Sequence, residues 1–178
     1  MTVAVNTLIW DPRALLLRLA FLVVLWPGTL LADGLMGRNV QFNVETWDDP
    51  NEPFLGSRDY VATVGPGPEF GLIREGRIGM DVVPVLIDVS RHRIRFSYAQ
   101  NEPGAFAVAN FNGYLVTFLT DCVLIEGASV EAKGTTLPMD DSNLIVKPQS
   151  LGINVSGLNY TPTDTITVVV DVADCPIS

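Results

Sequence analysis

Histidine is nearly absent from this chain: among 178 residues His92 is the only imidazole. Cysteine occurs twice, and the two residue types together fall short of the four soft ligands of a Cys/His zinc cluster. Charge is also sparse. Charged side chains make up 17%, apolar ones 48%, and the mean hydropathy is +0.31. A solvated, disordered chain needs the opposite balance and is excluded. Positive charge is the scarcer sign, with 11 Lys and Arg against 20 Asp and Glu, a net charge of −9 and a pI near 4.4. Binding to nucleic-acid phosphates is therefore not expected. Lysine is confined to Lys133 and Lys147. There is no Gly-x-Ser-x-Gly elbow, no His-Glu-x-x-His and no glycine-rich loop opening a helix, so neither catalysis nor a cofactor is expected. A secreted hydrolase using two carboxylates is the most distant alternative, because spacing in sequence does not encode the separation of two carboxyl groups.

What is present divides at about residue 32. Arg13 and Arg18 precede a charge-free run from Leu19 to Ala32 that is broken at Pro27-Gly28. A positive flank, a short apolar core and a helix breaker make a secretory signal. Taken from Ala14, with Arg18 reaching back to the interface, the same stretch is 19 residues long, close to a membrane span. Residues 1–32 thus read as a signal peptide or as a signal-anchor helix, 14–32 in the bilayer. Both place residues 33–178 outside the cytoplasm, in the periplasm or beyond. Removing residues 1–32 takes away one acid and two bases and leaves a body of net charge −10. Outside the cytoplasm, Cys122 and Cys175 are expected to form one disulfide closing a loop of about fifty residues.

Leu8-Ile9-Trp10-Asp11-Pro12-Arg13 before an apolar run resembles the start of bacterial light-harvesting alpha polypeptides. That resemblance implies an accessory subunit of a photosynthetic reaction-centre or antenna complex. No histidine follows in the apolar run, so the family's pigment-ligating position is unmatched. Taken by itself the motif is a helix start, with Asp11 as cap and Pro12 in the first turn.

Residues 33–178 alternate. Val40, Phe42 and Val44 interleave with Gln41, Asn43 and Glu45, and Ile94, Phe96 and Tyr98 with Arg93, Arg95 and Ser97. Further strand patterns cover 59–64, 85–89, 114–119, 128–132, 144–146, 151–155 and 165–173, the last rich in β-branched residues. Turn formers separate them: Asp48 to Pro53, Gly65 to Pro68, Gln100 to Gly104 and Met139 to Asn143. The pattern predicts an all-β domain, an antiparallel β-sandwich of about 8–10 strands, after one N-terminal hydrophobic helix.

Four segments in this order, Val64-Gly65-Pro66-Gly67-Pro68-Glu69-Phe70, Ile87-Asp88-Val89 with Arg93-Ile94-Arg95-Phe96, Phe111-Asn112-Gly113-Tyr114, and Leu151 to Leu158, resemble a group of bacterial exported β-domains often followed by a Pro-Glu-Pro sorting tail. Pro176-Ile177-Ser178 is not such a tail. The resemblance implies a fold and brings no active site with it.

Several residues are candidates for function. Arg91, Arg93 and Arg95 recur with period two, so they share one face of a strand, while His92 takes the apolar face. On a −10 body this stripe would steer an acidic protein partner. Trp47 and Phe54 flank the proline-rich first loop, and aromatics with arginine dominate interface energy. Asp48, Asp49, Asp140 and Asp141 sit in oxygen-rich loops and are weak calcium candidates, since neither loop has the Asp-x-Asp-x-Asp-Gly order. Asn112-Gly113 between apolar neighbours predicts a type I′ turn. Two functional classes follow. One is a non-catalytic binding or scaffold module that docks proteins outside the cytoplasmic membrane. The other is an accessory subunit of a membrane complex, held by its N-terminal helix.

Overall fold

The computed structural model describes residues 34–71, 74, 76, 81–99, 101–119 and 123–173. The N-terminal segment 1–32, Cys122 and Cys175 lie outside the described residues, and so does the expected disulfide. Among the described residues the chain is all-β, and every strand pairing is antiparallel.

The strands are β1 (Asn39–Trp47), β2 (Leu55–Gly56), β3 (Tyr60–Thr63), β4 (Leu86–Ser90), β5 (Arg93–Ser97), β6 (Gly104–Ala105), β7 (Phe111–Phe118), β8 (Leu124–Val130), β9 (Leu144–Lys147), β10 (Ser150–Asn154), β11 (Asn159–Tyr160) and β12 (Thr165–Ala173). The first sheet runs β2-β1-β7-β10-β9, with β3 pairing β1 beyond β2. The second runs β4-β5-β12-β8, and β6 pairs with β11 separately. Three strands, β2, β6 and β11, have only two residues, too short for an alternation pattern to announce them.

Alternation sets which side chains go inward. Val40, Phe42 and Val44 of β1 are buried, as are Tyr114, Val116 and Phe118 of β7 and Leu151 and Ile153 of β10. From the second sheet Ile87 and Val89, Ile94 and Phe96, and Ile166, Val168 and Val170 join the same cluster. The two sheets meet through aromatic rings. Phe96 of β5 stacks on Tyr114 of β7 at 5.1 Å between centroids, and Phe42 of β1 approaches Tyr114 at 6.0 Å. Each such ring, fully buried, contributes about 1.5–3 kcal/mol of transfer free energy.

The Val64 to Phe70 segment is held by its acid. The Glu69 carboxylate accepts from the Gly65 amide at 2.9 Å and from the Val89 amide of β4 at 2.6 Å. Phe70 exchanges backbone bonds with Ile87, so the segment covers the outer edge of β4. Covering an edge removes a template for unwanted strand pairing.

Three expectations need correction. Asn112-Gly113 is not a turn: both residues lie inside β7, opposite Thr46 and Glu45 of β1. Glycine is needed there because a Cβ would collide with the Ile153 carbonyl of β10. Arg91 is not on the strand either. Arg91 and His92 form the turn between β4 and β5, where the Arg91 carbonyl accepts from the Leu35 amide at 2.9 Å. Gly34, at φ +55°, packs where any side chain would strike that carbonyl. His92 is exposed rather than facing the core, since a turn ends the alternation that would have turned it inward.

Among the described residues Tyr98 and Tyr114 carry a polar anomaly in the core. Their hydroxyls are buried, and neither makes a hydrogen bond of acceptable geometry. Burial pushes both phenols above their ordinary pKa of 10, and each is the other's strongest polar neighbour. An unpaired buried hydroxyl costs about 1–3 kcal/mol. Tyr98→Phe and Tyr114→Phe should therefore leave stability unchanged or raise it by about 1 kcal/mol in urea unfolding. The sign of the pH effect follows from the raised folded pKa. Below pH 10 the phenols are neutral in both states and their ionisation does not affect stability, which is lost as pH rises above it because only the unfolded chain ionises freely. The double Phe variant should show a shallower alkaline loss. A variant that loses more than about 1 kcal/mol at neutral pH would show that the hydroxyls are paired.

Candidate functional site

The predicted contact residues separate onto two faces. Arg93 and Arg95 point outward from β5 because Ile94 and Phe96 point inward. The Arg93 guanidinium pairs with Glu131, its Nη2 at 3.0 Å and its Nε at 3.2 Å from Oε1. Arg95 lies opposite Asp88 on β4 and Thr167 on β12, and among the described residues it makes no ion pair. An exposed pair such as Arg93–Glu131 is worth at most about 1 kcal/mol. It nonetheless takes one positive charge out of the stripe. With Arg91 at the hairpin turn, Arg95 is the exposed stripe member on β5 that has no ion pair among the described residues.

Trp47 belongs to the other sheet. It ends β1 on the outer face and stacks on Phe111 of β7, 5.1 Å between centroids and 15° between planes. Phe111 is fully buried yet stands apart from the inter-sheet core, so Trp47 covers it from outside. Phe54, before β2, is 50% exposed, and its amide bonds the Thr46 carbonyl at 3.1 Å. Arg93 and Arg95 thus stand on a different sheet from Trp47, and the predicted contact residues do not form one surface.

Beside Trp47 the outer face dips. A groove of about 300 Å³ is floored by Phe111, Leu115, Ile145 and Gly152. The strand register explains it: Leu115, Gly152 and Ile145 are neighbours across β7, β10 and β9. Gly152 leaves the space into which Phe111 leans, its ring edge 3.5 Å from where a Cβ would sit. Glu45, Lys147 and Ser150 stand at the rim. Alternation of β7 and the glycine inside 151–155 were the signals in the sequence. They carry no meaning until the register puts the strands side by side.

The acidic loops are engaged in turn chemistry. Asp48 Oδ1 accepts from the Asn110 amide, and Asp49 Oδ1 accepts from the amide and side chain of Asn51. Asp140 caps the 3₁₀ turn Asp141–Asn143, accepting from the hydroxyl and the amide of Ser142, which hold its carboxyl below the usual range. Asp141 accepts from the Val130 amide at 2.7 Å. Among the described residues no three His, Cys, Asp or Glu side chains gather in a metal-binding group. Nor is any helix among them long and apolar enough to cross a membrane.

A polar network that the sequence did not announce closes one end of the first sheet. Asn112 is its centre: its Oδ1 accepts from Thr46 Oγ1 at 3.1 Å and its Nδ2 donates to the Ala107 carbonyl at 2.8 Å. Its amide donates to Asn154 Oδ1 and its carbonyl accepts from the Val155 amide. Ser156 and Asn154 then hold the Ala109–Asn110 turn. Asn112→Ala would leave the buried Thr46 hydroxyl and a carbonyl unpaired. It should cost about 2 kcal/mol, seen as a lower urea midpoint at unchanged m-value. A loss below about 0.5 kcal/mol would show that solvent satisfies these groups.

No family model matches the chain, and neither does any curated protein or solved structure.

Proposed function

We propose that this chain is an exported, non-catalytic β-sandwich module that works by docking a protein partner outside the cytoplasmic membrane. The sandwich reading is supported by the shared core, in which Phe96 of one sheet stacks on Tyr114 of the other. Export is supported by the positive flank and apolar run of residues 13–32. The observation that carries the docking reading is Arg95: an exposed guanidinium without an ion pair among the described residues, on a body of net charge −10. Opposite charge at one spot on an acidic body orients an acidic partner during encounter.

A second reading has its own observation. The Asp11-Pro12-Arg13 start before an apolar run favours an accessory subunit anchored in a membrane complex, with the β-domain on the outer side.

Arg95→Glu in the full chain should sharply lower cross-linking to partners in the native envelope, with a larger effect at low salt. Thermal stability should change little, as surface substitutions stay within about 0.5 kcal/mol. Arg93→Glu is the contrasting variant, since it also breaks the Glu131 pair. Undiminished cross-linking by Arg95→Glu would overturn the docking reading.

A further inference from the structure

The groove beside Trp47 is a second surface, on the sheet opposite the arginine face. We propose that it binds one or two pyranose rings of an uncharged polysaccharide. Three features of the groove select this ligand class.

The first is the platform. Trp47 is partly exposed and lies parallel to Phe111, which fixes its ring from beneath. An aromatic ring held in this way loses little conformational freedom when a ligand stacks on it. The C–H face of a pyranose is a flat apolar surface matched to such a ring.

The second feature is the rim. Glu45 supplies acceptors, Lys147 supplies donors and Ser150 supplies both. Glu45 is oriented by a hydrogen bond from Asn43 Nδ2 at 3.0 Å. Lys147 and Ser150 are register partners on β9 and β10, so donor and hydroxyl arrive together at one edge. One carboxylate and one ammonium cancel in charge. A neutral ligand bearing both donors and acceptors fits that rim better than an anionic or cationic one. Sugar hydroxyls have this dual character.

The third feature is size and shape. About 300 Å³ lies at the lower end of ligand clefts, enough for one or two rings. The missing side chain at Gly152 keeps the floor low, and Ile145, 39% exposed, extends it toward the edge of β9. Ile145 thereby adds its apolar surface to that of Trp47, Phe111 and Leu115, so the groove presents one contiguous apolar patch with a polar rim.

The test is calorimetric titration of the full chain with cello-, malto-, xylo- and chito-hexaose, with a tyrosine-containing hydrophobic peptide as the competing ligand. Saturable binding of at least one oligosaccharide is expected. Trp47→Ala should weaken it at least about 10-fold and Lys147→Ala by a smaller factor. Arg95→Glu should leave it unchanged, which separates this site from the protein-docking face: loss of partner cross-linking and loss of sugar binding are independent results. Because Trp47→Ala uncovers Phe111, Ile145→Ser provides a second variant that alters the groove without touching the stack. Absence of binding by all four oligosaccharides overturns the proposal. So does binding that is indifferent to Lys147→Ala and Ile145→Ser, and so does a groove that takes the peptide alone.

Discussion

Strand β7 has no free edge, and the described structure hangs on that constraint. Phe111–Phe118 pairs with β1 over eight residues on one side and with β10 over five on the other. Its first four residues are all buried, which alternation alone cannot produce. Such a strand needs a partner on each edge and a covering on each face. Gly113 is where these demands collide: the Ile153 carbonyl of β10 occupies the space of a side chain. Tyr114, the next residue, faces inward and gathers Phe42, Phe96, Tyr98 and Phe106 around its ring.

Other features follow from this placement. With its inner face committed to the aromatic cluster, β7 sends Phe111 and Leu115 outward, where Trp47 and the groove cover them in part. At its start, the backbone groups beyond the last ladder pairs require partners, and Asn112, Asn154 and Ser156 supply them. Amide side chains suit the task because each offers donor and acceptor from one short arm. The second sheet meets the first through packing, so its outer face is free to carry charge. Arg93, Arg95, Asp88 and Glu131 occupy it.

Much of the fold was legible in the sequence, because period-two alternation is a local signal. The pattern over 165–173 matches β12 to its last residue, and the patterns for β1, β3, β4, β5, β9 and β10 match with ends displaced by a few residues. Asn112-Gly113 misled because the dipeptide favours a hairpin turn by backbone preference, while its true constraint is a carbonyl from a strand forty residues away. Arg91 and His92 misled for the opposite reason. The alternation of β5 runs on in the sequence through His92 and Arg91, but the strand begins at Arg93, after a turn that the sequence does not mark with glycine or proline. Of the candidate contacts, the exposure of Arg93 and Arg95 was readable from the inward pattern of Ile94 and Phe96. The pairing of Arg93 with Glu131 was not, since it joins residues 38 apart in sequence. The groove was invisible for the same reason, as it combines side chains from β1, β7, β9 and β10.

Phe96 stacked on Tyr114 joins the two sheets, and native-state hydrogen exchange tests directly whether they open as one cooperative unit. The amides of Leu115 and Val116 in β7 and those of Ile94 and Val168 in the second sheet should exchange only through global opening, with one common free energy. A second sheet whose amides exchange through an opening several kcal/mol cheaper than that of β7 would contradict it.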